Sequence, residues 1–165
     1  VVHQPHDMAQ LPVDDVALPP ELFRRLHSHQ LACGQDRRER IGELAAAYQD
    51  KVPVILVNSL AEPAESVEQM AAKGKSWKLP VPYLADKDQT LMTSLNVKKT
   101  PEAFLLKNVN GKFTIVYRGA IDDNAQVEAD VRHRYLRDAI DIMLNNQKIQ
   151  TPEVRPVGCN VKKKA

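Results

Sequence analysis

VKKTPEAF (residues 97–104) is the stretch that decides the fold of this chain of 165 residues. Its Thr-Pro bond either opens a strand, a common use of proline, or takes the rare cis form, which is a purposeful feature where it occurs. The apolar runs EAFLLKN and KFTIVYRG follow, and they flank Asn110-Gly111, the strongest short hairpin signal that a sequence offers. We therefore expect an antiparallel strand pair directly after Pro101.

Two predicted helices and a buried strand lie before this stretch. In DRRERIGELAAAYQD (36–50), apolar residues recur at helical spacing and Asp36 is a candidate N-cap. VPVILVN (52–58) is a nearly continuous β-branched run, typical of a strand that is covered on both faces. EPAESVEQMAAKG (62–74) predicts a second helix with Gly74 as its C-terminal stop. A short helix over 88–95 is expected next.

The region behind the hairpin is predicted to contain one long helix. We expect this helix to start between residues 123 and 128, and we interpret Asp122 and Asp123 as caps that complement its N-terminal dipole. Its apolar stripe consists of Val131, Tyr135, Ala139, Ile142 and Met143.

The chain divides into an arm, one domain and a tail. Residues 1–20 are rich in Pro, Asp and Gln and are expected to form an extended arm. Residues 21–146 are predicted to be one domain, whose first segment, ELFRRLHSHQLA (21–32), fits a strand, a helix or neither. Residues 147–165 contain two prolines and are expected to be irregular. The order of elements predicts an α/β fold with a mixed central sheet and helices on both faces.

Composition and charge limit the classes of partner. Twenty-three basic and twenty-one acidic residues give a net charge of +2, and the only cluster of one sign is Lys162-Lys163-Lys164. Nucleic-acid sites need a sustained basic face, so we do not expect nucleic acid as a partner. No apolar run approaches the ~20 residues that would span a bilayer. Residue 1 is Val rather than Met and no charged-then-apolar leader follows, so we expect a processed protein that is periplasmic or otherwise exported.

The stretch around Pro101 resembles the segment before the third core strand of thioredoxin-like proteins. The resemblance implies that the Thr100–Pro101 bond is cis, that Pro101 lies against the active-site cysteine, and that the backbone at Thr100 pairs with incoming peptide substrates. Three further stretches are similar to the C-terminal part of bacterial redoxin-domain proteins, in which a proline-containing tail ends in a Gly-Cys pair: YRGAIDDN (117–124), YLRDAIDIML (135–144) and TPEVRPVGCNVK (151–162). The resemblance covers about residues 33–162 and points to no particular substrate.

The cysteine motif departs from that family. A dithiol oxidoreductase of this fold carries Cys-x-x-Cys at the start of its first helix, where the helix dipole lowers the pKa of the first thiol. The matching stretch is Cys33-Gly34-Gln35-Asp36, so Asp36 replaces the thiol that would resolve a mixed disulfide. The Asp36 carboxylate also opposes thiolate formation. The residues before Cys33 lack the Pro-x-x-x-Thr-x-x-Cys arrangement of peroxiredoxins, which argues against peroxidase activity.

Three interpretations of Cys33 stay open. It is a lone nucleophile at a helix start that forms mixed disulfides with partners or uses Cys159 to resolve them. It is half of a structural Cys33–Cys159 disulfide, which requires Cα atoms within about 7 Å and an oxidising compartment. Or it is an inert, buried residue of a degenerate site.

His27, His29 and Cys33 also suggest a metal site, because imidazole and thiolate bind copper and zinc. They supply only three candidate ligands, and solvent-exposed histidines are the simpler interpretation. We therefore expect neither a metal nor a cofactor.

Two hypotheses about function result. In the first, the protein is an exported thiol–disulfide redox protein with Cys33 as nucleophile, Pro101 as the substrate-side cis-proline, Thr100 beside it as a substrate contact and Cys159 as the candidate second thiol. In the second, it is a non-catalytic interaction subunit of a larger assembly. Both predict protein partners that bind at the cis-proline groove or through the terminal arms.

Overall fold

The computed structural model describes residues 37–78, 81–124 and 127–164. The predicted helix near residue 36 is present as α1, and helices and short strands alternate after it. Two single turns of 3-10 helix, Pro63–Glu65 and Glu128–Asp130, lie between longer elements. The elements are α1 (Arg37–Tyr48), β1 (Leu56–Asn58), α2 (Val67–Trp77), β2 (Tyr83–Ala85), α3 (Thr90–Ser94), β3 (Lys99–Thr100), β4 (Ala103–Val109), β5 (Lys112–Gly119), α4 (Tyr135–Leu144), β6 (Glu153–Val154) and β7 (Cys159–Asn160).

The strands pair in both orientations. β1 and β2 are parallel, β4 and β5 are antiparallel, β5 and β6 are parallel, and β3 and β7 are antiparallel. Mixed pairing in an α/β chain therefore agrees with the prediction. Within the described ranges the strands form three separate sheets rather than one central sheet. The arm, residues 1–20, and the ambiguous segment 21–32 lie outside those ranges, so their predictions stay untested.

The β4–β5 hairpin is the longest ladder and confirms the Asn-Gly prediction. Asn110 and Gly111 both have positive φ, 54° and 85°, as the tight turn between right-twisted strands requires. The Asn108 side chain accepts a hydrogen bond from the Gly111 amide at 2.9 Å and fixes the turn. The register of the ladder shifts by one residue between Leu105 and Leu106, where Leu105 faces Tyr117 and Leu106 faces Ile115.

The core lies where α1 and α4 pack on this hairpin. Leu44 and Tyr48 of α1 meet Leu105 and Tyr117 of the hairpin, and Ile140 of α4 completes the cluster. Replacing Ile140, which is 1% exposed, by alanine would cost about 2–5 kcal/mol of stability because a cavity would remain. The two helices therefore hold the hairpin rigidly behind the segment that contains Pro101.

Two helix boundaries differ from the predictions. α2 does not stop at Gly74 but runs to Trp77, and Lys78 ends it in a left-handed conformation with φ of 51°. Gly74 serves packing instead, since a Cβ there would lie 3.2 Å from the Tyr83 ring. α4 begins only at Tyr135, because residues 121–124 and 127–134 carry turns and hydrogen bonds of their own.

The tail also departs from the irregular course that its prolines predict. Pro152 and Pro156 flank β6, and β7 follows Gly158. β6 is short enough to fit between the two prolines, which lack the amide hydrogen that strand pairing uses. Within the described part of the chain, no helix has the length and apolar character needed to cross a membrane.

Candidate functional site

The Thr100–Pro101 peptide bond is cis, as the resemblance implies. It lies between β3 and β4, and Glu102 follows it directly. The Glu102 carboxylate accepts a hydrogen bond from the Lys98 amide at 2.9 Å and a weaker one from the Lys99 amide at 3.4 Å. The residue after the cis-proline therefore fixes the backbone before it.

Arg118 of β5 binds the Glu102 carboxylate and holds it in place. Its Nη2 donates to Glu102 Oε1 at 2.6 Å and to the Asn96 carbonyl at 3.1 Å, and its Nε reaches the same carboxylate oxygen at 3.2 Å. The side chains are 7% and 2% exposed, so this is a buried ion pair. The guanidinium also lies 5.0 Å from the centre of the Phe104 ring, an attractive arrangement of cation and π face.

The tail brings Cys159 to the cis-proline segment. β7 pairs antiparallel with β3, so that Lys99 faces Asn160 and Thr100 faces Cys159. The pairing continues where the Val161 amide donates to the Lys98 carbonyl at 3.2 Å. Cys159 is exposed. Three predicted site residues, Thr100, Pro101 and Cys159, thus lie together, although they come from distant parts of the sequence.

Two glycines permit the tail to approach this closely. A Cβ on Gly158 would lie 2.1 Å from the Thr100 carbonyl oxygen, well inside van der Waals contact. At β5, a Cβ on Gly119 would lie 1.7 Å from the Val154 carbonyl oxygen. Gly119 also has a φ of 130°, which side chains rarely adopt. Each attachment of the tail therefore depends on one glycine.

Gln89 binds the residues after β7. Its Oε1 accepts from the Lys164 amide at 2.7 Å, and its Nε2 donates to the Lys162 carbonyl at 2.9 Å and to the Ser59 carbonyl at 2.8 Å. Gln89 is only 5% exposed. Because one carboxamide meets both a carbonyl and an amide of the tail, it binds the tail as a neighbouring strand would.

Asp86 positions Gln89. The Gln89 amide donates to the Asp86 carbonyl at 3.0 Å. The buried Asp86 carboxylate accepts from the amides of Leu91 and Met92, at 3.0 and 2.9 Å, and so caps α3. The Ser59 hydroxyl donates to the same carboxylate at 2.6 Å. The start of α3 and the end of β1 are thereby tied together beneath the tail.

A second, exposed contact holds the tail at Lys162. Its ammonium lies 2.6 Å from the Glu62 carboxylate. The hydrogen bond to Glu62, together with the negative charge of that group, raises the pKa of Lys162 above its usual range. Both side chains are largely exposed, so solvent screens this pair.

The acidic pair at 122–123 does not cap α4. Asp122 forms a buried ion pair with Arg40 of α1, with Nη1 and Oδ2 2.6 Å apart. The Asp123 side chain accepts from the Arg132 amide at 3.0 Å and closes the turn before α4. The capping prediction is therefore wrong, because the helix begins twelve residues after Asp123, at Tyr135. The ion pair of Asp122 with Arg40 instead joins the segment after β5 to α1.

Arg40 is incompletely satisfied. Its Nη1 also donates to the Asn124 carbonyl at 2.7 Å. Its Nε and Nη2 are buried, and the described residues offer them no hydrogen-bond partner. Arg40 lines a mostly apolar cavity of about 800 Å³ that extends past Leu44 and Phe104 to Pro101.

The chain's single tryptophan lies at the end of α2. Trp77 packs edge-on against Tyr83, with ring centroids 5.3 Å apart. The Arg38 guanidinium lies 5.4 Å from the centre of the Trp77 ring. Trp77 therefore contacts the first turn of α1 and the strand β2 at the same time.

The other predicted site residues lie outside the described ranges. These are Cys33, His27 and His29, so the reactive, bridged and inert interpretations of Cys33 all stay predictions. Within residues 37–78, 81–124 and 127–164, no cluster of three or more His, Cys, Asp or Glu side chains is placed to hold a metal ion.

Sequence reasoning missed Gln89, Glu102, Arg118 and Gly158. Glu102 was visible only as the residue after the proline, and its partner lies 16 positions away. Gln89 stands in a polar stretch, KDQT, with no periodicity that would select it. The Gly-Cys pair at 158–159 belongs to the sequence resemblance of the tail, but no sequence signal indicates that Gly158 lies against Thr100.

The fold and site define a mixed α/β protein with a cis-proline segment that is covered by its own C-terminal tail. The sequence matches no model of a known protein family and no curated protein. The solved structures that are similar to this chain include those of two bacterial proteins. A hypothetical protein from Sinorhizobium meliloti 1021 is 29% identical, with a TM-score of 0.72 over 85% of this chain and 78% of that one. An uncharacterized conserved protein from Geobacillus kaustophilus is 24% identical, with a TM-score of 0.72 over 84% of this chain and 75% of that one.

Proposed function

We propose that this protein is a thioredoxin-like, redoxin-type thiol–disulfide protein in which Cys33 and Cys159 form the redox pair. The observation that carries the proposal is the pairing of Thr100 with Cys159 beside the cis bond of Pro101. A missing second thiol at position 36 then no longer prevents catalysis, because a second thiol arrives from the tail.

Electrostatics and order at the cis-proline support this role. The buried pair of Glu102 and Arg118 fixes the backbone from Asn96 to Glu102, so a sulfur opposite Thr100 is held at one place. Fixed geometry raises the effective concentration of two reacting groups. Exposure of Cys159 leaves its sulfur accessible to another thiol.

The proposed reaction reduces a disulfide in a partner protein. The Cys33 thiolate attacks one partner sulfur, a Cys33–partner disulfide forms, and the other partner sulfur leaves as a thiolate. Cys159 then loses its proton and attacks the Cys33 sulfur. A Cys33–Cys159 disulfide results and the second partner thiolate is released, so two electrons pass from this protein to the partner. The reverse sequence oxidises a partner dithiol.

The same chemistry suggests a location. A Cys33–Cys159 disulfide persists where thiols are not kept reduced, so we propose an exported, periplasmic protein. Its substrates are then proteins of that compartment that carry cysteines.

Mass spectrometry of the full chain, with and without reductant, tests the proposal. We expect a disulfide-linked peptide pair that contains Cys33 and Cys159, and its loss in Cys33→Ser and in Cys159→Ser. We also expect the Cys33→Ser variant to lose disulfide reductase activity on a reporter protein, and Cys159→Ser to accumulate the mixed disulfide.

Two results would overturn the proposal. One is a Cys33 that fails to react with an alkylating reagent in the reduced, folded protein. The other is unchanged reductase activity in Cys33→Ser. A Cys33→Ser variant that keeps both partner binding and biological function would favour the non-catalytic interaction subunit instead.

A further inference from the structure

Arg40 of α1 is a buried cation whose hydrogen bonds are only partly complete. Its side chain is 3% exposed, and Nη1 binds Asp122 at 2.6 Å and the Asn124 carbonyl at 2.7 Å. Nε and Nη2 are buried as well, and no group in the described ranges accepts a hydrogen bond from either of them. A buried donor without an acceptor is costly, above all in a charged group, so these two nitrogens point to a ligand.

The two nitrogens form one edge of the guanidinium. In arginine, the N–H bonds of Nε and Nη2 run parallel, and their spacing matches the two oxygens of a carboxylate. This edge lies on the opposite side of the central carbon from Nη1, so it points away from Asp122. Arg40 therefore presents a pair of parallel donors that its ion pair with Asp122 does not use.

Arg40 also lines the apolar cavity of about 800 Å³. Volumes of about 300–1,000 Å³ are typical of small-molecule sites. Ile41 and Leu44, from the same helix, line the cavity too, together with Phe104 and Pro101 at the start of β4. The paired donors of Arg40 thus stand at the wall of a space that suits a hydrocarbon chain.

The charges around the cavity favour an acid as its occupant. Six basic side chains line it: Arg38, Arg40, Lys51, Lys99, Lys107 and Lys162. Among the described lining residues the only carboxylate is Glu102, and Arg118 already binds it. A carboxylate that leaves water needs a partner that is both charged and hydrogen-bonded, and Arg40 supplies one.

We propose that this cavity binds an aliphatic monocarboxylate, with its two oxygens on Nε and Nη2 of Arg40 and its hydrocarbon chain along Leu44 toward Phe104 and Pro101. The inference goes beyond the redox proposal and depends on neither cysteine, because no sulfur takes part. Binding completes the hydrogen bonds of a cation that folding has already desolvated. The acid therefore meets a preorganised partner, and less of the binding energy is lost to ordering the site.

Titration of the full chain with decanoate, below the concentration at which it forms micelles, tests the proposal. Decanol is the matched ligand, since it has the same chain length and no carboxylate. We expect decanoate to bind at least about tenfold more tightly, because decanol carries no charge and has a single oxygen for the paired donors. Calorimetry measures both affinities, and the emission of Trp77, which lines the cavity, follows the same titrations.

Two variants test the role of the paired donors. Arg40→Lys keeps a positive charge opposite Asp122 but has no parallel N–H pair. Arg40→Met with Asp122→Leu removes both charges, and such replacements of buried ion pairs usually fold. Each variant should bind decanoate at least about tenfold more weakly than the parent and bind decanol equally well. Arg155→Met is the matched control, since Arg155 is exposed and does not line the cavity, and it should leave both affinities unchanged.

The Nε proton of Arg40 reports on the contact itself. In NMR spectra of labelled protein, decanoate should shift the Arg40 Nε–H signal and slow its exchange with water. Arg40→Lys assigns that signal by removing it.

Four results would overturn the proposal. Equal affinity of the parent for decanoate and decanol would mean that water satisfies the paired donors. Equal decanoate affinity of the parent and Arg40→Lys, or an unchanged Arg40 Nε–H signal at saturation, would place the carboxylate elsewhere. Failure of decanoate to bind at all would show that another part of the chain fills the cavity.

Discussion

Two buried arginine–carboxylate pairs lie within the described residues, and they are built differently. Arg118 and Glu102 lie beside the cis-proline, and no buried nitrogen of Arg118 lacks a partner within the described residues. Arg40 and Asp122 join α1 to the end of β5 at the same distance of 2.6 Å, yet Nε and Nη2 of Arg40 have no partner there. The first pair fixes the backbone before Pro101, from Asn96 to Lys99, whereas the second joins α1 to the segment after β5.

The difference shows what a buried ion pair can contribute. Desolvating two charges costs several kcal/mol per ion, so the attraction within the pair seldom gives net stability. What Glu102 adds is a fixed place for the Lys98 and Lys99 amides, and hence for the β3 edge. We interpret the Glu102 pair as a positioning device and the Arg40 pair as a connection that apolar residues could replace.

Breaking the first pair should have the largest effect. Glu102→Ala leaves the Arg118 guanidinium buried without its carboxylate, which should lower the free energy of unfolding by about 3–5 kcal/mol. Denaturant unfolding measures this loss. Glu128→Ala is the control, because Glu128 lies 3.4 Å from Arg134 in a partly exposed pair and should cost less than about 1 kcal/mol. Equal losses in the two variants would contradict the comparison.

Replacing both members of each pair should separate the two roles. Arg40→Met with Asp122→Leu should leave stability within about 1 kcal/mol of the parent or raise it, because the change removes two buried nitrogens without partners along with the hydrogen bonds to Asn124. Arg118→Met with Glu102→Leu should still cost about 1–3 kcal/mol, because the Asn96 carbonyl and the Lys98 amide lose their partners. Thermal and denaturant unfolding of both double variants would measure the difference. A lower stability of the Arg40 double variant would show that our ranking is wrong.

Stability at alkaline pH should test a second contact of α1, the hydrogen bond from Tyr48 to Asp141 of α4, which does not involve Arg40. Burial, together with a hydrogen bond of 2.5 Å to the Asp141 carboxylate, raises the pKa of Tyr48 to about 12. An unfolded tyrosine ionises near 10. The stabilisation is therefore complete below about pH 10 and is lost as the pH rises toward 12. Tyr48→Phe should lack this part of the loss, which unfolding experiments across that range would reveal. A parallel decline in both proteins would count against the assignment.

The exposed pair of Lys162 and Glu62 should show the smallest effect. Because the pKa of Lys162 is raised, its contribution is present at neutral pH and is lost only as the pH rises through that raised pKa. Lys162→Met should slightly increase hydrogen exchange of the Val161 amide at low ionic strength, and added salt should remove the difference. If added salt reduced the stability loss of Glu102→Ala to the same extent, the buried pair of Glu102 and Arg118 would be screened by solvent as well.

Local signals in the sequence predicted the elements that local physics determines. The helical spacing around Leu44 gave α1, and Asn110-Gly111 gave the hairpin, because each depends on neighbouring residues only. The cis bond at Pro101 followed from a resemblance, and the structure agrees with it. Gly74 misled the prediction of α2, since its role is contact with Tyr83 rather than a helix stop.

Contacts across long stretches of sequence could not be predicted from the same signals. Asp122 looks like a helix cap until Arg40, 82 positions earlier, is seen beside it. The sequence named Thr100, Pro101 and Cys159 as site residues, but nothing in it states that the tail pairs with β3. That pairing needs the absence of a side chain at Gly158 and the carboxamide of Gln89, which only the folded chain brings together.

The contacts of Trp77 supply the protein with an optical reporter. Its indole stands between the Arg38 guanidinium, in the first turn of α1, and the Tyr83 ring of β2. A change in the position of that first turn alters the charge close to the indole and hence its emission. Since the sequence has one tryptophan, the fluorescence spectrum can be assigned to this place without labelling. A movement of Arg38 at the start of α1 should therefore be visible in solution as a shift in the emission of Trp77.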